Sequence, residues 1–472
     1  MKNSKDVHDF MQKRKIYKDN FYRQLWKIVF PVALQNLLSS VVSASDALML
    51  GALDQQSLSA ISLATQIQFV LGLFHATLVI GTTILAAQYW GKGDKEKVED
   101  ILAIVLRLSL IISVAFFAAS FFFPHMLMRF FTNEQELILL GIPYLKIVSV
   151  SYLLSGVSQV YLCIMKNTGR VMRGTLYASS AVVLNLILNA LLIFGWAGLP
   201  KLEIEGAAIA TVIARTVEFV FIMFENAQKG VVKIRIRKLF NVDRKLQQDY
   251  IKYTLPVFFN EMAWGLGFTM FSVIIGHLGS DAVAANSIAN IVKNIIACAS
   301  VGIGSGSAIL VGNALGCGDL ELARRNGDRL CHVSVLTGIV SGIIIVICSP
   351  LILQFAGNLT PQAREYLKIM LWTCSYYMIG KSVNGTVIIG IFCAGADSRF
   401  GCICDIITMW VVCVPVGALA AFVFKWPVMV VYILLNMDEI VKLPAVYRHY
   451  KKYKWLKNLT NDEQIAEGIS TL

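Results

Sequence analysis

Asp46, Glu261 and Asp405 are carboxylates set in long apolar stretches of a 472-residue chain. An ionised side chain in lipid costs roughly 2.5–3.5 kcal/mol on insertion scales, so each is a candidate for function rather than packing. Asp46 stands near the end of its apolar run. Protonation would remove its desolvation cost, so uptake and release of H+ there would bias a helix between two positions. The same carboxylate, joined by amide and hydroxyl oxygens, would instead hold Na+, a hard cation. Asn185 and Asn189 are four apart and share one helix face. Their amide oxygens can coordinate a cation or hydrogen-bond Asp46, and Thr211 is a matching polar residue on a later run. The ordinary alternatives are a helix-end carboxylate near water for Asp46, and interhelical hydrogen bonding for the two asparagines.

A second set lies in the later half of the chain. Asn260 and Glu261 fall in the early turns of their run, and Trp264 follows one position short of a full turn. A carboxylate lining a cavity would attract a cationic solute, and Trp264 would add a cation–π contact. Lys293 is a candidate partner for Glu261, because buried charges rarely persist unpaired. Lys381 and Asn384 interrupt a further apolar run. Asp405 is either another cavity carboxylate or a residue at a water-facing helix end. Arg215 and Glu218 are three apart and read as a local pair. His75 reads as a satisfied histidine in an apolar helix rather than a proton relay. Met262, Phe268, Met270, Phe271, Tyr376, Tyr377 and Met378 read first as packing, although Met-rich surfaces also suit a promiscuous pocket. The ten cysteines, nine of them after residue 297, show neither a zinc spacing nor a disulfide framework.

These residues need elements to hold them. The chain is 56% apolar and only 15% charged, which excludes disorder and leaves too few charges to coat soluble domains. A bilayer core of about 30 Å needs roughly 20 apolar residues per helix. Twelve such runs are read at 27–50, 58–87, 98–123, 136–163, 172–196, 205–226, 250–276, 284–314, 329–355, 363–393, 401–424 and 426–444. They are long and continuous, unlike the short alternating segments of a membrane barrel. The net charge of +12 then reports orientation. With the N-terminus cytoplasmic, about 32 of the 42 Lys and Arg fall in cytoplasmic segments and about 5 on the other side. The basic cluster Lys229 to Lys238 therefore reads as a topology-setting loop, and no nucleic-acid partner is expected.

Sliding the chain against itself by 225 positions aligns Pro31-Val32 with Pro256-Val257, Gly51 with Gly276, and Gly91, Gly93 and Asp94 with Gly316, Gly318 and Asp319. About 15 of 74 positions are identical without a gap (27–100 on 252–325). The expected fold is an all-α polytopic membrane protein with twelve transmembrane helices in two homologous six-helix bundles. An even number of spans makes the bundles parallel repeats, an arrangement suited to alternating access around sites near the midplane. The expected organisation is a cytoplasmic N-terminal segment (1–26), an N-terminal lobe (27–226), a basic cytoplasmic linker (227–249), a C-terminal lobe (250–444) and a cytoplasmic tail (445–472).

Asp46-Ala-Leu-Met-Leu-Gly51 resembles the Asp-x-x-Met-x-Gly signature of multidrug and toxic compound extrusion (MATE) transporters. Gln88-Tyr-Trp-Gly-Lys-Gly-Asp94 resembles the family's turn after span 2, and Asn313-Ala-Leu-Gly-Cys-Gly-Asp319 repeats it. Asn185-Leu-Ile-Leu-Asn189 with Ile193-Phe194-Gly195 is similar to the family's span 5, Gly206-Ala-Ala-Ile-Ala-Thr211 to its span 6, and Ala394-Gly-Ala-Asp-Ser-Arg399 to the turn before span 11. The resemblance covers about residues 22–445. It implies a plasma-membrane antiporter that exports amphipathic, often cationic small molecules in exchange for H+ or Na+, without another cofactor and as a monomer within membrane lipid. It also implies that Asp46, Asn185, Asn189 and Thr211 correspond to the family's coupling-ion site, with Na+ held at Asp46, Asn185 and Asn189. Many members carry Asp where Asn189 stands, so one carboxylate remains. Glu261 resembles a span 7 carboxylate of several groups, while the span 10 carboxylate is replaced by the Lys381–Asn384 region. A lipid or lipid-linked oligosaccharide flippase is the alternative within the same superfamily, but it would call for more cavity cations than Lys293 and Lys381. An intramembrane enzyme is disfavoured because no metalloprotease, P-loop or nucleophile-elbow motif stands at a sensible place.

Overall fold

A computed structural model describes residues 21–51, 55–195, 198, 200–356 and 359–460; within these, the side chains of residues 46–48, 50, 51, 55 and 355 are not described. The N-terminal bundle comprises α1 (Phe21–Gly51), α2 (Gln55–Lys92), α3 (Lys95–Phe122), α4 (Gln135–Asn167), α5 (Val171–Phe194) and α6 (Glu203–Ala227). The second bundle comprises α7 (Arg244–Gly276), α8 (Ser280–Gly316), α9 (Leu320–Phe355), α10 (Pro361–Asn384, continued by Gly385–Phe392), α11 (Ser398–Val423) and α12 (Val428–Leu435). Among the described residues, ten helices are long and apolar enough to cross a membrane. The other two are α10 and α12. Lys and Glu interrupt the apolar run of α10, while α12 stops at Asn436 and resumes as Asp438–Val441 and Leu443–Tyr450.

The repeated turn has a local cause. After α2, Gly93 takes the left-handed conformation (φ 84°) that a side chain resists, and Asp94 caps α3 by accepting from Lys97 N at 3.0 Å. After α8, Gly318 (φ 76°) and Asp319, which accepts from Leu322 N at 3.0 Å, do the same for α9. The repeat detected in sequence is therefore a stop-and-restart signal used twice.

The bundles meet along α1 with α8, α2 with α7, and α2 with α8. Lipid provides no hydrophobic drive between helices, so close backbone approach must supply the attraction. Helix α8 carries glycines four apart for this purpose. A Cβ on Gly302 would lie 2.9 Å from Val29 O of α1, and one on Gly306 would lie 3.2 Å from Val29 Cγ2. Further along, a Cβ on Gly316 would lie 1.9 Å from Gln88 O of α2. Reciprocally, one on Gly91 would lie 2.2 Å from Asn313 O. Gln88 aligns with Asn313 and Gly91 with Gly316, so the contact is self-complementary about an axis between the bundles. The seam is tight at the end that carries these turns.

The segment between the bundles also packs. Arg235 pairs with Glu99 at 2.8 Å and Lys238 with Asp100 at 2.6 Å, tying it to the start of α3. Three stretches of π-helix interrupt the second bundle, at Gly385–Phe392, Ile407–Cys413 and Leu419–Val423. Such wide turns are rare and gather at functional positions. The first two begin just after Asn384 and Asp405.

Candidate functional site

Two cavities hold most of the residues singled out from sequence. The larger, about 730 Å³, is lined by α1, α2, α5 and α6 with Tyr144 of α4, and by Phe268, Thr269 and Ser272 of α7. It lies toward the end away from the seam, since its α1 residues are Ser39, Val42 and Ser43 whereas the seam uses Val29 and Ala33. Asn185, Asn189 and Thr211 form one polar chain on its wall. Asn189 Nδ2 donates to Asn185 Oδ1 at 3.4 Å, and Asn185 Nδ2 donates to Thr211 Oγ1 at 3.4 Å. The four-residue spacing thus places both amides as expected. Their long bonds leave oxygen lone pairs to spare. Asp46 belongs to α1, but its side chain lies outside the described residues. Among the described lining residues Arg215 is the one charged group, and Glu218, fully buried, neutralises it at 2.7 Å. The sequence expectation of a local pair there is met.

The smaller cavity, about 170 Å³, lies within the second bundle and is lined by Asn260, Glu261, Trp264, Lys381, Asn384, Asp405, Glu439 and Lys442, with Gly385, Ile388 and Ile389. Asn260, Glu261, Trp264, Asn384 and Asp405, scattered over 146 positions of sequence, are therefore neighbours. Lys442 organises them. Its Nζ lies 2.6 Å from Asp405 Oδ1 and 3.0 Å from Glu439 Oε2, with 6% of the side chain exposed. Glu439 also receives Asn384 Nδ2 at 2.8 Å and has Lys381 Nζ 3.4 Å away. Glu261 has no ion pair among the described residues, and the charges that reach it are Lys381 and Asp405. Asn260 Oδ1 and Asn384 Oδ1 are buried acceptors without a donor. Unused oxygens beside an unpaired carboxylate suit a proton, a small cation or water.

Three expectations need correction. Lys293 does not pair with Glu261. Its ammonium sits 4.9 Å over the Tyr377 ring, and the carboxylates that reach it are Asp438 and Glu439. The face of Trp264 is taken by Lys381 at 5.3 Å, so its cation–π partner belongs to the protein. Lys442, near the end of the last expected span, is buried and paired rather than turned to water. Asp438, Glu439 and Lys442 were not foreseen as site residues. The signal was available: Asp438-Glu439 interrupts an apolar run, and Lys442 stands one turn on from both. Asp405 lines the cavity and is not a water-facing helix end. His75 lines a separate space with Arg215, its Nε2 3.5 Å from Ser113 Oγ. Of the Met and aromatic set, Met378 is fully buried and Tyr377 nearly so, as packing requires, while Phe268 lines the large cavity. Among the described residues no cluster of three or more His, Cys, Asp or Glu is arranged to hold a metal.

The family model MatE matches twice, over residues 31–191 and 256–419, starting on the two prolines that the internal repeat aligns. The chain is 20% identical over 434 residues to the uncharacterized transporter YisQ of Bacillus subtilis, covering 92% of this chain and 95% of that protein. It is 23% identical over 451 residues to the probable multidrug resistance protein YoeA of the same organism, covering 93% and 95%. It is 22% identical over 437 residues to the probable multidrug resistance protein NorM of Thermotoga maritima, covering 92% and 93%. Among solved structures, the outward-facing conformation of a multidrug resistance MATE family transporter matches with a TM-score of 0.85 at 16% identity, over 93% of this chain and 97% of that one. A MOP superfamily transporter from Pyrococcus furiosus, reported with a binding pocket of reversed polarity, matches with a TM-score of 0.84 at 17% identity over the same shares.

Proposed function

The chain belongs to the multidrug and toxic compound extrusion family of membrane transporters, and from that premise we propose that it exports amphipathic small molecules in exchange for H+ or Na+ by alternating access. The observation that carries this reading is the 730 Å³ cavity at one end of a seam that is closed at the other. Pockets for drug-sized ligands run from about 300 to 1,000 Å³, so this cavity fits such a solute and the 170 Å³ one does not. The substrate therefore belongs in the N-terminal cavity, whose mix of hydroxyl, amide and aromatic groups suits an amphipathic body. The sequence points cargo toward the second bundle, whereas the volumes favour the larger cavity.

Asp46, Asn185, Asn189 and Thr211 are the proposed coupling set. An ion held by Asn185, Asn189 and Thr211 on the wall of the substrate cavity competes with a cationic substrate for the same space, and that competition couples the two movements. Glu261, in a space too small for cargo, is proposed as a second proton or cation site. With the basic loops cytoplasmic, the closed seam faces the cytoplasm of a cell whose plasma membrane holds the protein as a monomer, and the large cavity opens outward.

The test is ethidium transport in proteoliposomes with H+ and Na+ gradients imposed separately. Either gradient should drive transport, and Asp46→Asn should abolish the gradient dependence. Full gradient-driven transport by Asp46→Asn would remove Asp46 from the coupling role.

A further inference from the structure

The chain beyond α12 crosses the closed seam. Trp455 is wholly buried on the second bundle, where a Cβ on Gly327 would meet its ring at 2.9 Å and a Cβ on Gly395 would meet its carbonyl oxygen at 1.7 Å. Four residues on, the chain is seated on the first bundle. Leu459 is 6% exposed in an apolar cluster where α2, α3 and α4 meet α7 and Cys393, and it is tied to the first bundle by its N–H, which donates to Gln88 Oε1 at 2.7 Å. Lys92 Nζ donates to Thr460 O at 2.6 Å. Gln88, fully buried, also donates from Nε2 to Lys457 O at 3.2 Å and to Ala394 O at 2.7 Å. One side chain of α2 thus holds the tail and the second bundle together.

We propose that residues 455–460 form a strap that holds the two bundles shut at this end and so sets how often the seam opens. The inference rests on the alternating-access reading above, because only a seam that opens needs a restraint. Opening requires the strap to leave one bundle. The indole of Trp455 buries far more surface than Leu459 does, so the strap stays on the second bundle and releases α2. The short chain between the anchors keeps the released end near its seat, which makes release rapidly reversible. The strap therefore biases the equilibrium without blocking the cycle.

Cys317 reports on this directly. It lies at the seam, where its Sγ approaches Gly91 O of the opposite bundle at 2.9 Å. The experiment is maleimide labelling of Cys317 in the full chain, with the other partly exposed cysteines, Cys331 and Cys348, replaced by serine. Leu459→Asp removes the apolar seat and should raise the labelling rate about tenfold. Lys92→Met removes the bond to Thr460 while keeping the helix, and should raise it by a smaller factor. If both variants label at the unmodified rate, the strap restrains nothing and the proposal falls. If Leu459→Asp does not fold, Lys92→Met alone decides. The readout needs no substrate, so a failure of ethidium transport would count against the transport reading and leave the strap intact.

Discussion

Replacing Gly316 by alanine sets two effects of opposite sign against each other. In an isolated helix the change is favourable by about 1 kcal/mol, because glycine has the larger conformational freedom to lose. Here the added Cβ would sit 1.9 Å from Gln88 O and 2.6 Å from the carbonyl carbon behind it. Both are backbone atoms of the facing helix, so no side chain can swing away. Ordinary contact needs more than an additional 1 Å, and forcing it costs roughly 1–3 kcal/mol. The cost exists only while the seam is closed, whereas the helix-propensity gain is present in both states. The predicted result is a shift toward the seam-open state by a factor of about 5 to 140, since 1.4 kcal/mol corresponds to tenfold. Glu96 and Glu321 are aligned by the repeat, exposed, and on the helices that follow the two turns. Pulsed electron paramagnetic resonance between spin labels at these positions measures the separation of the bundles at this end. Gly316→Ala should broaden the distance distribution toward longer values, and Gly91→Ala, its partner across the axis, should do the same. An unchanged distribution together with a raised unfolding midpoint would mean that propensity decided the outcome, and would refute the claim that the glycines close the seam.

Two further outcomes follow from the second bundle. Lys442→Met strands Asp405 and leaves Glu439 to Lys381 and Asn384, a loss of about 3–5 kcal/mol for a broken buried pair. It should lower the thermal unfolding midpoint in detergent sharply, with Asp405→Asn in the same chain restoring part of it; an unchanged midpoint would show that the pairs are not structural. Glu261→Gln should leave the affinity for ethidium within about threefold, because its cavity of about 170 Å³ excludes the dye, while reducing transport driven by an ion gradient. A large loss of affinity with coupling intact would place the cargo in the second bundle after all.

The fold was legible in the sequence because a membrane imposes simple rules. Backbone groups must be satisfied within each helix, so long apolar runs mark the spans with little room for alternatives. The repeat was legible because turns demand particular residues: Gly93-Asp94 and Gly318-Asp319 recur since each must stop one helix and cap the next. Pairs on one helix were legible too, as Asn185 with Asn189 and Arg215 with Glu218 show, because helical spacing alone fixes their geometry. Long-range partners were not. The spacing of Asp438, Glu439 and Lys442 in the run at 426–444 marks a local charged group, but it does not say that Lys442 turns inward to Asp405, 37 positions away. Lys293 and Glu261 are both half-buried charges, but which charges meet depends on how α7, α8, α10 and α12 cross. The sequence by itself determined the spans, the duplication and the few residues whose burial demands a reason. Only the tertiary structure decided which of those residues share a cavity, how large each cavity is, and that the chain after α12 closes over the seam, because these depend on side chains brought together from helices far apart in the chain.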